Sequence, residues 1–214
     1  MIERDTPKDT FGDTHDAPDV APHEAEVGGV LPREVLRFWF EELSLKDHFN
    51  ATPELDAEIE RRFGALVEGL EAAGYPHIWE SEPDTALALL IALDQFPRNI
   101  HRGGAGAFLL DGITLDIAQR AIGRGFLEGL EASRAKYILM PLMHSEDLAV
   151  QDQGVALFED YADSDTARHA RAHREVVRRF GRFPERNAAL GRESTAEEAA
   201  WLEAGGYAAE LRDL

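Results

Sequence analysis

The chain has no cysteine, so disulfides, thiol catalysis and cysteine-ligated metals are excluded from the outset. It has no apolar run near the roughly 20 residues that a membrane helix needs; the longest clear one is Leu87 to Leu93. Residues 1–29 lack both the basic start and the apolar centre of a signal peptide, so a soluble, cytoplasmic protein is expected. Convincing β alternation and hairpin signals are missing throughout. Bases are scarce as well. The 22 Lys and Arg face 41 Asp and Glu, and the formal net charge of −19 argues against nucleic acid or an anionic membrane as partner. One stretch departs from that average: Arg168 to Arg192 holds eight arginines and two acids, which makes it the first place to look for a bound anion.

What is present reads as helix. With 214 residues, 44% of them hydrophobic, the chain can bury one substantial core. Residues 1–29, with eight acids, two bases, three prolines and almost no large apolar side chain, read as a loose acidic arm. Residues 30–214 read as a single all-helical domain. Pro32 opens a helix to about Leu43; Thr52-Pro53 opens a second that Gly74 closes; Ser81-Glu-Pro-Asp84 has capping-box spacing before a third. Further helices are expected over Phe108 to Ile122 and Ser133 to Met140. Another runs to Tyr161, begun or kinked by Pro141, and one runs from Asp165 to Phe180. A last follows a capping box at Ser194-Thr-Ala-Glu197 and stops at Gly205-Gly206. The prediction is an all-α antiparallel stack of seven or more helices, with Trp39, Phe63, Leu90, Ile117, Phe158 and Val177 in the core.

Two stretches echo each other at helix ends, Asp94-Gln-Phe-Pro-Arg-Asn-Ile100 and Gly181-Arg-Phe-Pro-Glu-Arg-Asn187. Asp94 lies seven residues after Leu87, two turns on the same helix face, so it is expected to point inward with Arg98 as its partner. Arg and Asn at such corners either clamp exposed carbonyls or grip a carboxylate or phosphate. His144 lies in Pro141-Leu-Met-His-Ser-Glu-Asp147; Asp147 or Gln151 are its better-placed partners on a helix, and Glu146, two residues on, does not share its face. His169 and His173 share a face, with His173 read as a core histidine bonded to a neighbour rather than a metal ligand. Arg168, Arg171, Arg174, Arg178 and Arg179 fall on the opposite, solvated side. Arg102-Gly-Gly-Ala-Gly-Ala lacks the lysine of a phosphate loop and the strand before a dinucleotide fingerprint.

The run Leu93-Asp-Gln-Phe-Pro-Arg-Asn-Ile-His-Arg-Gly103 is followed by Pro141-Leu-Met-His-Ser-Glu146. Then come Phe180-Gly-Arg-Phe-Pro-Glu-Arg-Asn-Ala-Ala-Leu-Gly-Arg192 and Ser194-Thr-Ala-Glu-Glu198. In this order they resemble a bacterial family known as domain of unknown function 924, over residues 31–204. The resemblance implies a helical fold like tetratricopeptide repeats and no established activity. It departs from the family at His48, His101, Leu142 and Glu185, the last standing where the family tends to have His. The family motifs carry over at Asp94, Gln95, Arg98, Asn99, Arg102, His144, Glu146, Arg182, Arg186, Asn187 and Arg192.

Together these readings predict a concave groove for a small anionic molecule or an acidic peptide end. Asp94, Arg98, Asn99, Arg102, His144, Glu146, Arg182, Arg186, Asn187 and Arg192 would line it. The competing expectation is a metal-independent hydrolase or transferase on an anionic substrate, with His144 as general base beside Glu146. No cofactor or metal site is expected.

Overall fold

The computed structural model describes residues 21–49, 52–73 and 77–212. The described chain is an all-α helical stack. Its helices are α1 (Pro32–Arg37), α2 (Leu45–Phe49), α3 (Pro53–Ala73), α4 (Pro83–Leu90), α5 (Phe96–Ile100), α6 (Asp111–Gly123), α7 (Ala132–Met143), α8 (Leu148–Tyr161), α9 (Ser164–Phe180), α10 (Ala196–Glu203) and α11 (Gly206–Arg212). The isolated bridge between Val27 and Val30 is the nearest approach to a strand among the described residues. All six core residues expected from the sequence are buried. They belong to two clusters. The larger is built on α1, α3, α4, α6, α7 and α8. The smaller gathers Val176, Val177, Phe183 and Trp201 with Phe180, Leu202 and Tyr207 at its edge.

Two helices are interrupted by a wider π turn. Phe38–Glu42 continues α1, and Ile91–Gln95 joins α4 to α5, where the Phe96 N–H reaches back to the Ile91 carbonyl. A π turn adds one residue to the helix and re-aims the side chains beyond it, an arrangement frequent at functional sites. Here it carries Asp94 and Gln95. Nothing in apolar periodicity distinguishes such a turn from ordinary α-helix.

Several expected boundaries move. Pro141 neither begins nor breaks a helix; it lies inside α7, which runs two residues further, and His144 is that helix's C-cap. The next helix starts separately at an Asp147 N-cap, whose Oδ1 accepts from the N–H groups of Ala149 (2.8 Å) and Val150 (3.2 Å). The Ser81 to Asp84 box does not form: Glu82 is the N-cap, without a side-chain bond, and Ser81 Oγ donates to the Ile78 carbonyl. The last box is one residue on, between Thr195 and Glu198. Gly205 and Gly206, both at positive φ, turn the chain between α10 and α11 rather than stopping it. Gly74 lies outside the described residues.

Of the acidic arm expected over residues 1–29, residues 1–20 lie outside the described residues. Residues 21–29 run against the body of the stack. Trp79 Nε1 donates to the Ala25 carbonyl at 2.7 Å, and Val27 and Val30 exchange backbone hydrogen bonds at 2.9 Å. Gly28 makes the approach possible. Its φ is +56°, and a Cβ there would stand 2.6 Å from the Ala65 carbonyl oxygen. Left-handed geometry and overlap together predict that Gly28→Ala costs about 1–3 kcal/mol. Urea unfolding measures it; an unchanged midpoint would show that this segment does not depend on the contact.

Candidate functional site

The two Phe-Pro corners meet on one carboxylate. Arg98 Nη1 donates to the Asp94 carbonyl (2.7 Å) and lies 3.2 Å from Asp94 Oδ1, while its Nη2 donates to Asp111 Oδ1 at 2.8 Å. Arg186, from the second corner, donates through Nη1 to Asp111 Oδ2 (2.9 Å) and through Nη2 to the His144 carbonyl (2.9 Å). Its guanidinium lies over the rings of Phe108 and Phe183, 4.6 Å from each centroid. Burial pulls the Arg186 pKa below its ordinary value, and Asp111 opposes that. Asp111 opens α6, where a first-turn acid is also favoured by the helix dipole. That is how it reads in sequence, and its role in joining corners 87 residues apart, Phe96 to Phe183, leaves no local signal.

The partner of His144 is Asp94, neither Asp147 nor Gln151. His144 Nδ1 lies 2.8 Å from Asp94 Oδ1. Gln151 instead donates to the carbonyls of Met143 (2.6 Å) and Ser145 (2.7 Å). Burial would raise the Asp94 carboxyl, but Arg98 and then His144 outweigh it and hold the group at about 2. An ionised Asp94 accepts the Nδ1 proton of His144, which leaves the Nε2 lone pair unoccupied by any described residue. Burial, reinforced by Arg98 and opposed by Asp94, lowers the His144 pKa, so the ring is neutral at neutral pH.

His144 separates two cavities. The larger, about 350 Å³, lies where the two core clusters meet; Gln95, Arg98, Met140, Met143, His144, His169, His173 and Tyr207 are among its walls. The smaller, about 300 Å³, is bounded by Phe108, Asp111, His144, Glu146, Arg186 and Leu190. In the larger cavity His173 Nδ1 donates to the His169 carbonyl at 2.9 Å, the neighbour-bonded histidine expected from its helix position. Burial pushes it down to about 3. Its ring packs edge-on to Phe183 and tilted on Tyr207, at 5.5 and 4.6 Å between centroids. Tyr207 OH is 2.5 Å from His169 Nδ1, and burial and then Glu185 raise the phenol. Tyr207 enters from α11, beyond the Gly205-Gly206 pair where the sequence predicts the last helix to stop.

The remaining expected site residues are paired with groups of the stack or with one another. Glu146 accepts from the Phe183 N–H (2.8 Å) and from both Nη atoms of Arg192 (2.7 and 3.0 Å). Arg192 Nε also donates to Asn187 Oδ1 at 2.9 Å. Arg182 pairs with Glu198 at 2.6 and 2.8 Å, and buried Asn187 donates to Ser194 Oγ (3.1 Å) and Glu198 (3.3 Å). These groups clamp residues 181–198 onto the stack. Arg102 pairs with Asp56 at the surface (2.8 and 2.9 Å), and Asn99 donates to the Gln95 carbonyl (2.9 Å). Of the arginine-rich stretch, Arg171, Arg174, Arg178 and Arg179 pair with Glu159, Asp152, Glu175 and Glu197 on the outside of α9. Among the described residues no group of three or more His, Asp or Glu is arranged to hold a metal ion.

Thus Asp94, Arg98 and His144 form one constellation, with Glu146 and Arg186 behind it. His169, His173 and Tyr207 complete the larger cavity without having been assigned to a site. None of the described helices is long and apolar enough to cross a membrane. Comparison with curated proteins finds no match. A solved structure of a protein of unknown function from Agrobacterium tumefaciens is similar, with 32% sequence identity and a TM-score of 0.76, covering 81% of this chain and 97% of that one. The family model described as bacterial protein of unknown function (DUF924) matches residues 35–206, and the chain belongs to that family.

Proposed function

We propose that the larger cavity is an acid–base site for a small molecule, in which His144 is the general base and Asp94 its orienting carboxylate. The observation that carries this reading is the 2.8 Å Asp94–His144 contact, with Asp94 buried, His144 lining a cavity and its Nε2 without a partner among the described residues. A carboxylate on Nδ1 fixes the tautomer and stabilises the imidazolium that forms when Nε2 takes a proton. A volume of about 350 Å³ suits a small ligand rather than a polymer. The reaction class is hydrolysis or group transfer: Nε2 takes the proton of a water or ligand hydroxyl as its oxygen attacks, and returns it to the departing group.

The anion groove has weaker support. Arg182 and Arg192 are neutralised by Glu198 and Glu146, and Arg102 by Asp56. Arg98 and Arg186 already share Asp111. Little uncommitted positive charge faces either cavity.

A thermal-shift screen of a metabolite library, followed by calorimetry on the hits, tests the assignment. Compounds that stabilise the wild type are expected to bind His144→Gln about tenfold or more weakly, the loss of one good hydrogen bond to a ligand. Equal affinities for both proteins would remove His144 from the site.

A further inference from the structure

We propose that the larger cavity binds an uncharged polyhydroxyl small molecule, two of whose hydroxyl groups donate to Nε2 of His144 and Nε2 of His173. This rests on the acid–base reading of His144 and adds to it the class of ligand and a second contacting residue. The two rings line one cavity with their centroids 6.3 Å apart. Each has its Nδ1 proton committed, one to Asp94 and the other to the His169 carbonyl. Both therefore present an acceptor lone pair at Nε2. Neither nitrogen bonds to a described residue. Among the described residues the buried side-chain polar atoms without a hydrogen-bond partner are Trp39 Nε1 and Glu71 Oε1; the two imidazole nitrogens are not among them, and both rings line the cavity.

Two neutral acceptors select by what they reject. A carboxylate or phosphate would bring acceptors against lone pairs, beside the ionised Asp94 and with Asp165 on the rim. The nearest cation, Arg98, is already held by Asp94 and Asp111. An ammonium would bring positive charge against Arg98 with Arg186 behind it, and both share Asp111. A hydroxyl group carries the complementary donor without either charge. The carbon skeleton would rest on the thioethers of Met140 and Met143 and the Tyr207 ring. The hydroxyl on His144 is then the one whose proton Nε2 removes, and the hydroxyl on His173 fixes the ligand's orientation. His173, depressed well below neutrality, stays an acceptor at physiological pH.

Nitrogen-15 NMR of the imidazoles follows both sites directly. Glycerol, ribose and myo-inositol serve as polyol probes; acetate, phosphate and methylammonium serve as charged controls, all at tens of millimolar. At least one polyol is expected to shift the Nε2 resonances of both His144 and His173 saturably. His173→Phe keeps the ring and is expected to weaken that binding about tenfold, one hydrogen bond's worth, while leaving the His144 Nδ1–H signal in place. His173→Gln is the second variant if loss of the polar ring disturbs folding. Tighter binding of acetate, phosphate or methylammonium at these nitrogens, or no polyol response, would overturn the ligand class. If His144→Gln abolishes binding and neither His173 variant changes it, the role of His173 fails and the reading of His144 stands. If none of the variants alters binding, both fail.

Discussion

Replacing Arg186 with Ala is expected to lower the unfolding free energy by about 3–5 kcal/mol, the range for breaking a buried ion pair by removing one partner. The side chain is 13% exposed, and its removal strips Asp111 of one of two guanidinium partners. It also frees the His144 carbonyl and opens the space between Phe108 and Phe183. At roughly 2–4 °C per kcal/mol for a chain of this size, the melting temperature should fall by about 6–20 °C. Arg102→Ala is the control. Its side chain is 51% exposed in the pair with Asp56, and such pairs contribute less than about 1 kcal/mol. Urea unfolding at neutral pH separates the two. If Arg186→Ala stays within about 1 kcal/mol of wild type, the arginine does not hold the corners together and its use as an anion ligand regains force.

That contrast shows what the sequence carried and what it did not. Helical periodicity and helix-end residues were enough for an all-α stack and for its core, because both depend on spacing within about 15 residues. The inward turn of Asp94 and its pairing with Arg98 were legible for the same reason: seven and four residues are near-integral helix turns. The echo of the two Phe-Pro corners is plain in sequence, but their meeting through Arg98 and Arg186 is not. Its cause, Asp111, looks like any first-turn acid.

The Asp94–His144 contact spans 50 residues, and nothing near His144 announces it. Its neighbours Glu146 and Asp147 were in fact misleading, since one holds Arg192 and the other caps α8. The π turn at Ile91–Gln95 is likewise silent in sequence. An excess of arginine between residues 168 and 192 suggested an anion site. Acids supplied from other segments, such as Asp152, Glu159 and Glu198, neutralise much of it. Charge counted along a window does not show the charge that folding places opposite.

Asp94→Asn should be the other severe substitution, and pH is the variable that identifies its cause. The wild-type carboxyl is 1% exposed and held at about 2, against roughly 3.9 in an unfolded chain. A carboxyl depressed in the folded state stabilises above its unfolded pKa, and that contribution is lost as pH falls through the folded value. For this shift it amounts to about 2–3 kcal/mol, present above about pH 5 and gone below about pH 2. His173 acts in a higher window. Held at about 3 against roughly 6.5 unfolded, it stays neutral while the unfolded chain takes up a proton, so its contribution declines as pH falls from about 6.5 to about 3. Wild type should therefore lose stability continuously over both windows. Asn cannot ionise, and at neutral pH it takes from Arg98 the buried one of its two carboxylate partners, so Asp94→Asn is expected to cost about 3–5 kcal/mol there. The gap between the two proteins should then narrow by about 2–3 kcal/mol between pH 5 and pH 2, while the decline above pH 4 from His173 is shared by both. Subtracting one urea-derived stability curve from the other cancels Glu198, also held at about 2 through its bond to Arg182, and every other carboxylate common to both. A difference that stays constant from pH 5 to pH 2 would mean that Asp94 is not the strongly stabilised carboxylate that orients His144.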